Sequence, residues 1–236
     1  MISPAWFAHL YTALGAGTAL AATLAVIDGK YREAFLWLAL AVFIDTTDGV
    51  LARWLRVKER LPSFDGGHLD DIVDYLTYVF VPVLLVLRAE LLPSTVAVWV
   101  GLVVLLASAY GFSNVDAKVR GEDYFFTGFP SYWNIVAVYL YVWRLPPLAA
   151  AAILLGLAVL VFVPVRYVYP SRTVTWQGLT LTLGALWAVC IVVTVWQLPS
   201  TAGPWLTVSL IFPVYYTALS LWLHFGRSAP STQPPV

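Results

Sequence analysis

Apolar runs of roughly 20 residues, the length a helix needs to cross about 30 Å of hydrocarbon, recur along the chain with short polar interruptions. They predict helices near residues 5–27, 33–55, 70–89, 94–114, 129–145, 146–168, 175–197 and 204–225. The expected fold is all-α, a polytopic helical membrane protein with about eight transmembrane helices. Only Arg144 and Pro146-Pro147 separate the fifth run from the sixth, as a tight turn or a kink. No internal repeat appears and no soluble domain can be split off, so residues 1–226 are expected to form a single transmembrane domain. Residues 227–236, polar and proline-rich, are expected to be a disordered tail. The first ten residues hold no Lys or Arg, so the basic front of a cleaved signal peptide is missing and the first run reads as a retained span.

Composition supports a bilayer as solvent. Hydrophobic residues make up 61% of the chain and charged residues 11%, with a mean hydropathy of +0.81, whereas a soluble domain carries about 25% charged residues. The net charge of zero gives no reason to expect nucleic acid. The lone Cys190 lies in an apolar run and reads as a small buried hydrophobe. Eight spans put both termini on one side, and the 13 basic residues indicate which. With cytoplasmic termini, Arg53, Arg56, Lys58, Arg60, Lys118, Arg120, Arg166, Arg172 and Arg227 lie inside, and Lys30, Arg32, Arg88 and Arg144 lie outside. That bias follows the positive-inside rule, so both termini are expected in the cytoplasm.

The second run begins as AFLWLALAVFI and then becomes DTTDGVLARWL, which puts Asp45, Asp48 and Arg53 inside or at the edge of hydrocarbon. An ionised group there costs several kcal/mol unless it is paired or serves a wet cavity. Asp45 and Asp48, three apart, share a helix face, as do Asp70 and Asp74, four apart, in GGHLDDIVDY. Asp71 points about 100° away from Asp70 and reads as solvated or supporting. Four carboxylates against one nearby Arg call for divalent cations, and Mg²⁺ in particular bridges carboxylates to substrate phosphates. His9, His68 and His224 are too scattered for zinc. Gly49 would let a ligand approach the backbone, and Gly66-Gly67 reads as a flexible turn before the acidic helix.

Asp45, Asp48, Gly49, Ala52 and Arg53, followed by Gly66, Asp70 and Asp74, match every position of a pattern D-x2-D-G-x2-A-R, spacer, G-x3-D-x3-D. This pattern resembles the signature of the CDP-alcohol phosphotransferase family, and the resemblance runs from about residue 5 to 225. The spacer, residues 54–65, is longer than in the commonest members. With KERLPSFDGGHLDDIVDYLTYV and EDYFFTGFPSYWN, it is similar to a bacterial branch that joins choline directly to CDP-diacylglycerol. The resemblance implies that Asp45, Asp48, Asp70 and Asp74 bind two divalent ions, Mg²⁺ or Mn²⁺. Asp70 and Asp74 would be catalytic, with Asp74 the base. Asp45, Asp48, Gly49, Ala52, Arg53, Gly66 and Asp70 would receive the CDP group, with Arg53 on its phosphate. It further implies CDP-diacylglycerol, choline and membrane lipid as partners, and a bacterial inner membrane with the site facing the cytoplasm. A homodimer is left open.

Choline's quaternary ammonium offers no N–H and is held by aromatic faces, often beside a carboxylate. The densest such stretch is Glu122, Asp123, Tyr124, Phe125 and Phe126, followed by Phe129, Tyr132 and Trp133, which equally fits an interfacial aromatic belt. Tyr75 and Tyr78, just beyond Asp74, are rivals for the cage. Lys118, Arg120 and Arg166 suit a lipid phosphate or simple anchoring. Serine, inositol or glycerol phosphate are alternative acceptors within the family. An intramembrane prenyltransferase would lack the paired motif. A cation-coupled transporter should show two related halves.

Overall fold

The computed structural model describes residues 3–114, 118–119, 125–200 and 203–226. Two long helices, α1 (Trp6–Ile27) and α2 (Tyr31–Trp54), form a hairpin, and a short α3 (Val57–Arg60) follows. The next pass is continuous but changes pitch: α4 (Gly66–Asp74) runs into a π-helical segment (Tyr75–Phe80) and then α5 (Val81–Arg88). After α6 (Ala97–Ser113) come β1 (Lys118–Val119), β2 (Phe125–Thr127), α7 (Trp133–Trp143), α8 (Pro147–Leu160), β3 (Arg166–Val168) and α9 (Gln177–Trp196). The described chain ends with α10 (Trp205–Ser209) and α11 (Ile211–Gly226).

Helices α1, α2 and α9, and the α10–α11 pair over Trp205–Gly226, are long and apolar enough to cross a membrane. Their flanks carry large exposed apolar side chains such as Phe7, Phe43 and Trp222. A surface of that kind is covered by lipid or protein rather than water. Inside, α1 presents small residues, Ala8, Gly15, Ala19, Ala22 and Ala25, which let α2 and α4 approach closely. A Cβ on Gly15 would overlap the Val73 side chain of α4. Hydroxyls within the helices are satisfied locally: Thr18 donates to Gly15 O, and Thr23, Thr46, Thr77 and Thr194 donate to the carbonyl four residues back.

Two expectations are revised. Helices filling 129–145 and 146–168 are expected, but α7 has 11 residues and α8 has 14. At about 1.5 Å per residue these are shorter than the hydrocarbon core. Arg166–Val168 leave the expected helix as β3 and join β1 and β2 in a small antiparallel sheet of order β1-β2-β3, pairing Phe126 with Tyr167 and Thr127 with Arg166, so the fold is an all-α bundle with a β appendage. Local chemistry explains both ends. Pro164 cannot continue α8, and the β-branched and aromatic residues after it favour a strand. Gly128, at φ +83°, turns β2 towards the end of α8, where any Cβ would overlap Val161 O. The second revision concerns Gly66 and Gly67, which form the first turn of α4 instead of a loop. Asp65 caps that turn by accepting from the N–H groups of Gly67 (3.0 Å) and His68 (3.1 Å).

The bundle has two chemically distinct ends. At one end meet the start of α1, the end of α2 and the start of α4. Beside them lie the sheet and the end of α11, where the Val168 N–H donates to Ser220 Oγ. The opposite end carries Lys30, Arg32, Arg88 and Arg144, linked through Tyr31, whose hydroxyl donates to Arg88 O and whose ring meets Tyr141.

Candidate active site at the acidic end

Asp45 projects from α2, and Asp70 and Asp74 from the helix that starts at Gly66. Each offers a carboxylate oxygen within 4.8 Å of the other two. At that separation two unit negative charges repel by about 3 kcal/mol for an effective dielectric of about 20. Tyr78, one turn beyond Asp74, donates its hydroxyl to Asp45 Oδ2 at 2.8 Å, a neutral donor that orients Asp45 without cancelling its charge. Hard oxygen donors, a like-charge cluster and a half-buried position fit a divalent cation. Among the described residues these three are gathered so that they could hold it together.

Asp48, the fourth expected ligand, is 8% exposed and accepts the Thr12 hydroxyl at 2.7 Å, which ties it to α1. The neighbouring Thr47 donates to Phe43 O at 2.7 Å, so its oxygen is left to accept from Tyr11, 2.8 Å away. Through Tyr11 and Thr12 helix α1 thus holds the acidic turn of α2, a role that no acidic motif reveals. Arg53 is exposed, and its Nη1 lies 3.3 Å from where a Cβ on Gly49 would sit, so its guanidinium lies over the motif glycine. Ala52 packs with Leu51, Leu55 and Leu61 around Val57.

Packing by itself favours glycine at position 66. A Cβ there would meet His9 Cε1 at 2.7 Å. The His9 ring sits between Trp6 and Phe64, at centroid distances of 5.7 and 4.3 Å, and its Nε2 is buried with no hydrogen-bond partner.

The expected aromatic cage is dispersed. Phe125 is buried with Val168, Leu219 and Leu223, and Phe126 meets the Tyr169 ring edge-on. Trp133 is 1% exposed and donates its indole N–H to Ser108 Oγ at 2.7 Å. Tyr75 turns away from the carboxylates, donating to Leu105 O and packing on Phe112. Glu122, Asp123 and Tyr124 lie outside the described residues. Tyr78 alone of these candidates touches the acidic cluster among the described residues. Beside it stands Tyr132, with Tyr167 and Tyr216 beyond, the latter two from segments that sequence proximity did not suggest. A tyrosine hydroxyl inside an apolar run, such as Tyr216 in IFPVYYTAL, is the signal that could have found them.

A family model described as CDP-alcohol phosphatidyltransferase matches residues 5–196. A phosphatidylcholine synthase of Pseudomonas aeruginosa is 38% identical over 222 residues, covering 92% of this chain and 91% of the relative. Similar proteins of that name from Bradyrhizobium diazoefficiens and Legionella pneumophila are each 36% identical. The alignments cover 96% of this chain and 81% of the relative in the first case, and 95% and 88% in the second.

Proposed function

The chain belongs to the CDP-alcohol phosphatidyltransferase family, and we propose that it transfers the phosphatidyl group of CDP-diacylglycerol to choline, releasing CMP. The observation that carries this reading is the convergence of Asp45, Asp70 and Asp74 within 4.8 Å, in a chain similar over nearly its whole length to proteins named phosphatidylcholine synthase. Asp45, Asp70 and Asp74, with Asp48 supporting, would hold Mg²⁺ or Mn²⁺, two ions in all. Bound there, they would offset the pyrophosphate charge and make the attacked phosphorus more electrophilic.

The chain's own groups do the rest. Tyr78 fixes one oxygen of Asp45, and Thr12 fixes Asp48. Asp74 accepts the proton of the choline hydroxyl at a carboxylate oxygen as the new O–P bond forms to the phosphorus next to diacylglycerol. The P–O bond to CMP breaks, and CMP leaves with the electron pair, its charge met by Arg53. Gly49 leaves room for the nucleotide once the Arg53 side chain moves onto it. The acyl chains stay in the bilayer. Incubating the purified protein with CDP-diacylglycerol, Mn²⁺ or Mg²⁺ and labelled choline should give phosphatidylcholine and CMP in equal amounts. Parallel reactions with serine, inositol and glycerol phosphate should give none. Turnover of one of those while choline is ignored would overturn the acceptor and leave the phosphatidyl transfer standing.

In this reading the chain lies in a bacterial inner membrane as one domain over residues 1–226, with eight passes of which α7 and α8 are short of the full core, and with both termini and the acidic end in the cytoplasm. Support comes from the nine-to-four distribution of basic residues and from the gathering of the four expected outer ones at the end opposite the carboxylates. A cysteine placed between Arg56 and Ser63 should resist an impermeant thiol reagent in intact cells and react after lysis. Labelling from outside would invert this orientation.

A further inference from the structure

Four tyrosines from separate segments lead away from the carboxylates in a continuous path. Tyr78, bonded to Asp45, has its ring 6.0 Å from that of Tyr132. Tyr132 is 6.4 Å from Tyr216, and Tyr216 is 6.3 Å from Tyr167 with the planes only 19° apart. Phe129 closes the path, 6.5 Å from Tyr167. The rings are anchored: the Tyr216 hydroxyl donates to Val168 O at 2.9 Å, and Tyr167 is fixed in β3, paired with Phe126. Tyr78 and Tyr167 are buried, whereas Tyr132 and Tyr216 keep accessible surface.

Core packing alone would explain stacked rings, but two features point elsewhere. Tyr132 and Tyr216 retain accessible surface although each packs against rings from other segments. Asp45 and Asp74 also lie near enough to act electrostatically on the Tyr132 hydroxyl, so this aromatic wall stands in a negative field. Aromatic faces with carboxylates at one edge suit a cation that cannot donate hydrogen bonds, whose charge spreads over apolar methyl groups. Neighbouring centroids 6.0 to 6.4 Å apart allow one cation to stand within about 6 Å of two rings at once. Choline's two-carbon link is short, so its ammonium must bind close to the group that takes its proton, and Tyr132 packs on Tyr78, one turn beyond Asp74.

We propose that Tyr132, Tyr167 and Tyr216 form the subsite for the quaternary ammonium of the acceptor, with Tyr78 as the link to the acidic cluster. The proposal rests on choline being the acceptor. It transfers the cage from the EDYFF stretch to residues that meet only in the folded chain, at the start of α7, in β3 and in α11.

The test uses the full chain in detergent or lipid nanodiscs, with choline and CDP-diacylglycerol varied independently. Tyr132→Leu and Tyr167→Leu keep an apolar side chain and remove the π face, so each should raise the KM for choline about tenfold. The KM for CDP-diacylglycerol should stay within about twofold. Tyr132→Phe and Tyr167→Phe should recover most of the choline affinity, because the face returns without the hydroxyl. The uncharged isostere 3,3-dimethylbutan-1-ol gives a readout that a merely structural role would not move. Wild type should prefer choline over it strongly, and the leucine variants should narrow that preference. Where a leucine variant does not accumulate, methionine at the same position serves. If wild type uses choline but the leucine variants keep its KM and its preference over the isostere, the subsite is overturned alone. If wild type ignores choline, the functional reading falls and the subsite with it.

Discussion

The end of the bundle that carries Asp45, Asp70 and Asp74 and the end that carries Arg32, Arg88 and Arg144 are made from the same helices, yet they treat polar groups in opposite ways. At the basic end each group finds a partner of matching character. The Arg88 guanidinium donates to Ile27 O at 3.3 Å, and the Tyr31 hydroxyl donates to Arg88 O at 2.6 Å. Arg32 lies 4.7 Å over the Trp196 ring, and Lys30 pairs with Asp28 at 3.0 Å. At the acidic end, three like charges converge, Asp48 is buried, and His9 Nε2 has no partner. Buried polar groups are normally matched within the fold. Three carboxylates brought this close repel one another even when each is hydrogen-bonded, so a bound cation is expected to complete the match at that end.

The hardest test of that contrast removes the ligand. Exhaustive chelation with EDTA should abolish turnover, and Mg²⁺ or Mn²⁺ should restore it. Asp45→Asn and Asp70→Asn should each lower turnover by about a thousandfold or more. Thermal stability separates a functional cluster from a structural one. Without metal, Asp70→Asn relieves repulsion and should melt no lower than wild type. Full activity after chelation, or a large loss of metal-free stability in Asp70→Asn, would make the acidic end as self-sufficient as the basic one.

Next in size are the groups that act around the carboxylates. Asp74→Asn should cost about 10² to 10⁴ in turnover if Asp74 takes the hydroxyl proton. Tyr78→Phe removes a hydrogen bond to a charged oxygen, typically about 1.5–3 kcal/mol, and should cost roughly ten- to a hundredfold in turnover. CDP-diacylglycerol affinity, read from binding, should fall more in Asp45→Asn than in either of these. An equal loss in Asp74→Asn would make Asp74 chiefly a ligand, in keeping with its place inside the three-carboxylate cluster.

A smaller effect probes why Gly66 is glycine. Gly66→Ala puts a methyl group against the His9 ring, so it should destabilise by roughly 1–3 kcal/mol through overpacking, with a lower melting temperature. His9→Ala in the same chain should recover most of that loss. Were the glycine needed for nucleotide approach alone, the double variant would melt normally and remain unable to bind CDP-diacylglycerol.

The helices, the acidic motif and the two ends were legible in the sequence because each rests on local chemistry: apolar run length, carboxylates at helical spacing, and the distribution of Lys and Arg. What was illegible depends on where separate segments meet. Trp133 looked like an available aromatic beside an acidic stretch, but Ser108, on α6, takes its N–H into the core. Tyr167 and Tyr216 lie far from Tyr132 in sequence, and only the β3–α11 contact brings them together beside it. Gly66-Gly67 read as a flexible turn because a Gly-Gly pair usually loosens a chain, whereas a capping Asp65 and a neighbouring His9 place Gly66 in the first turn of α4. The π-helical segment at Tyr75–Phe80 likewise leaves no periodic trace, and it lies between the acidic turn and α5.

The smallest expected effect lies at the basic end and is the sharpest control on the comparison. Arg32 and Trp196 are both exposed, so their contact is of the weak, solvent-screened kind. Arg32→Ala should cost about 0.5–1 kcal/mol of stability, a fall in melting temperature of about 1–4 °C, with the kcat and both KM values unchanged. Arg53→Ala is its counterpart at the acidic end, equally exposed and equally basic, and it should do the reverse: melting barely moves, while turnover falls because the departing CMP loses its cation. Two arginines of similar exposure thus separate stability from catalysis by location alone. If Arg32→Ala slowed turnover as much as Arg53→Ala, the basic end would be coupled to the chemistry, and the division of labour between the ends would have to be abandoned.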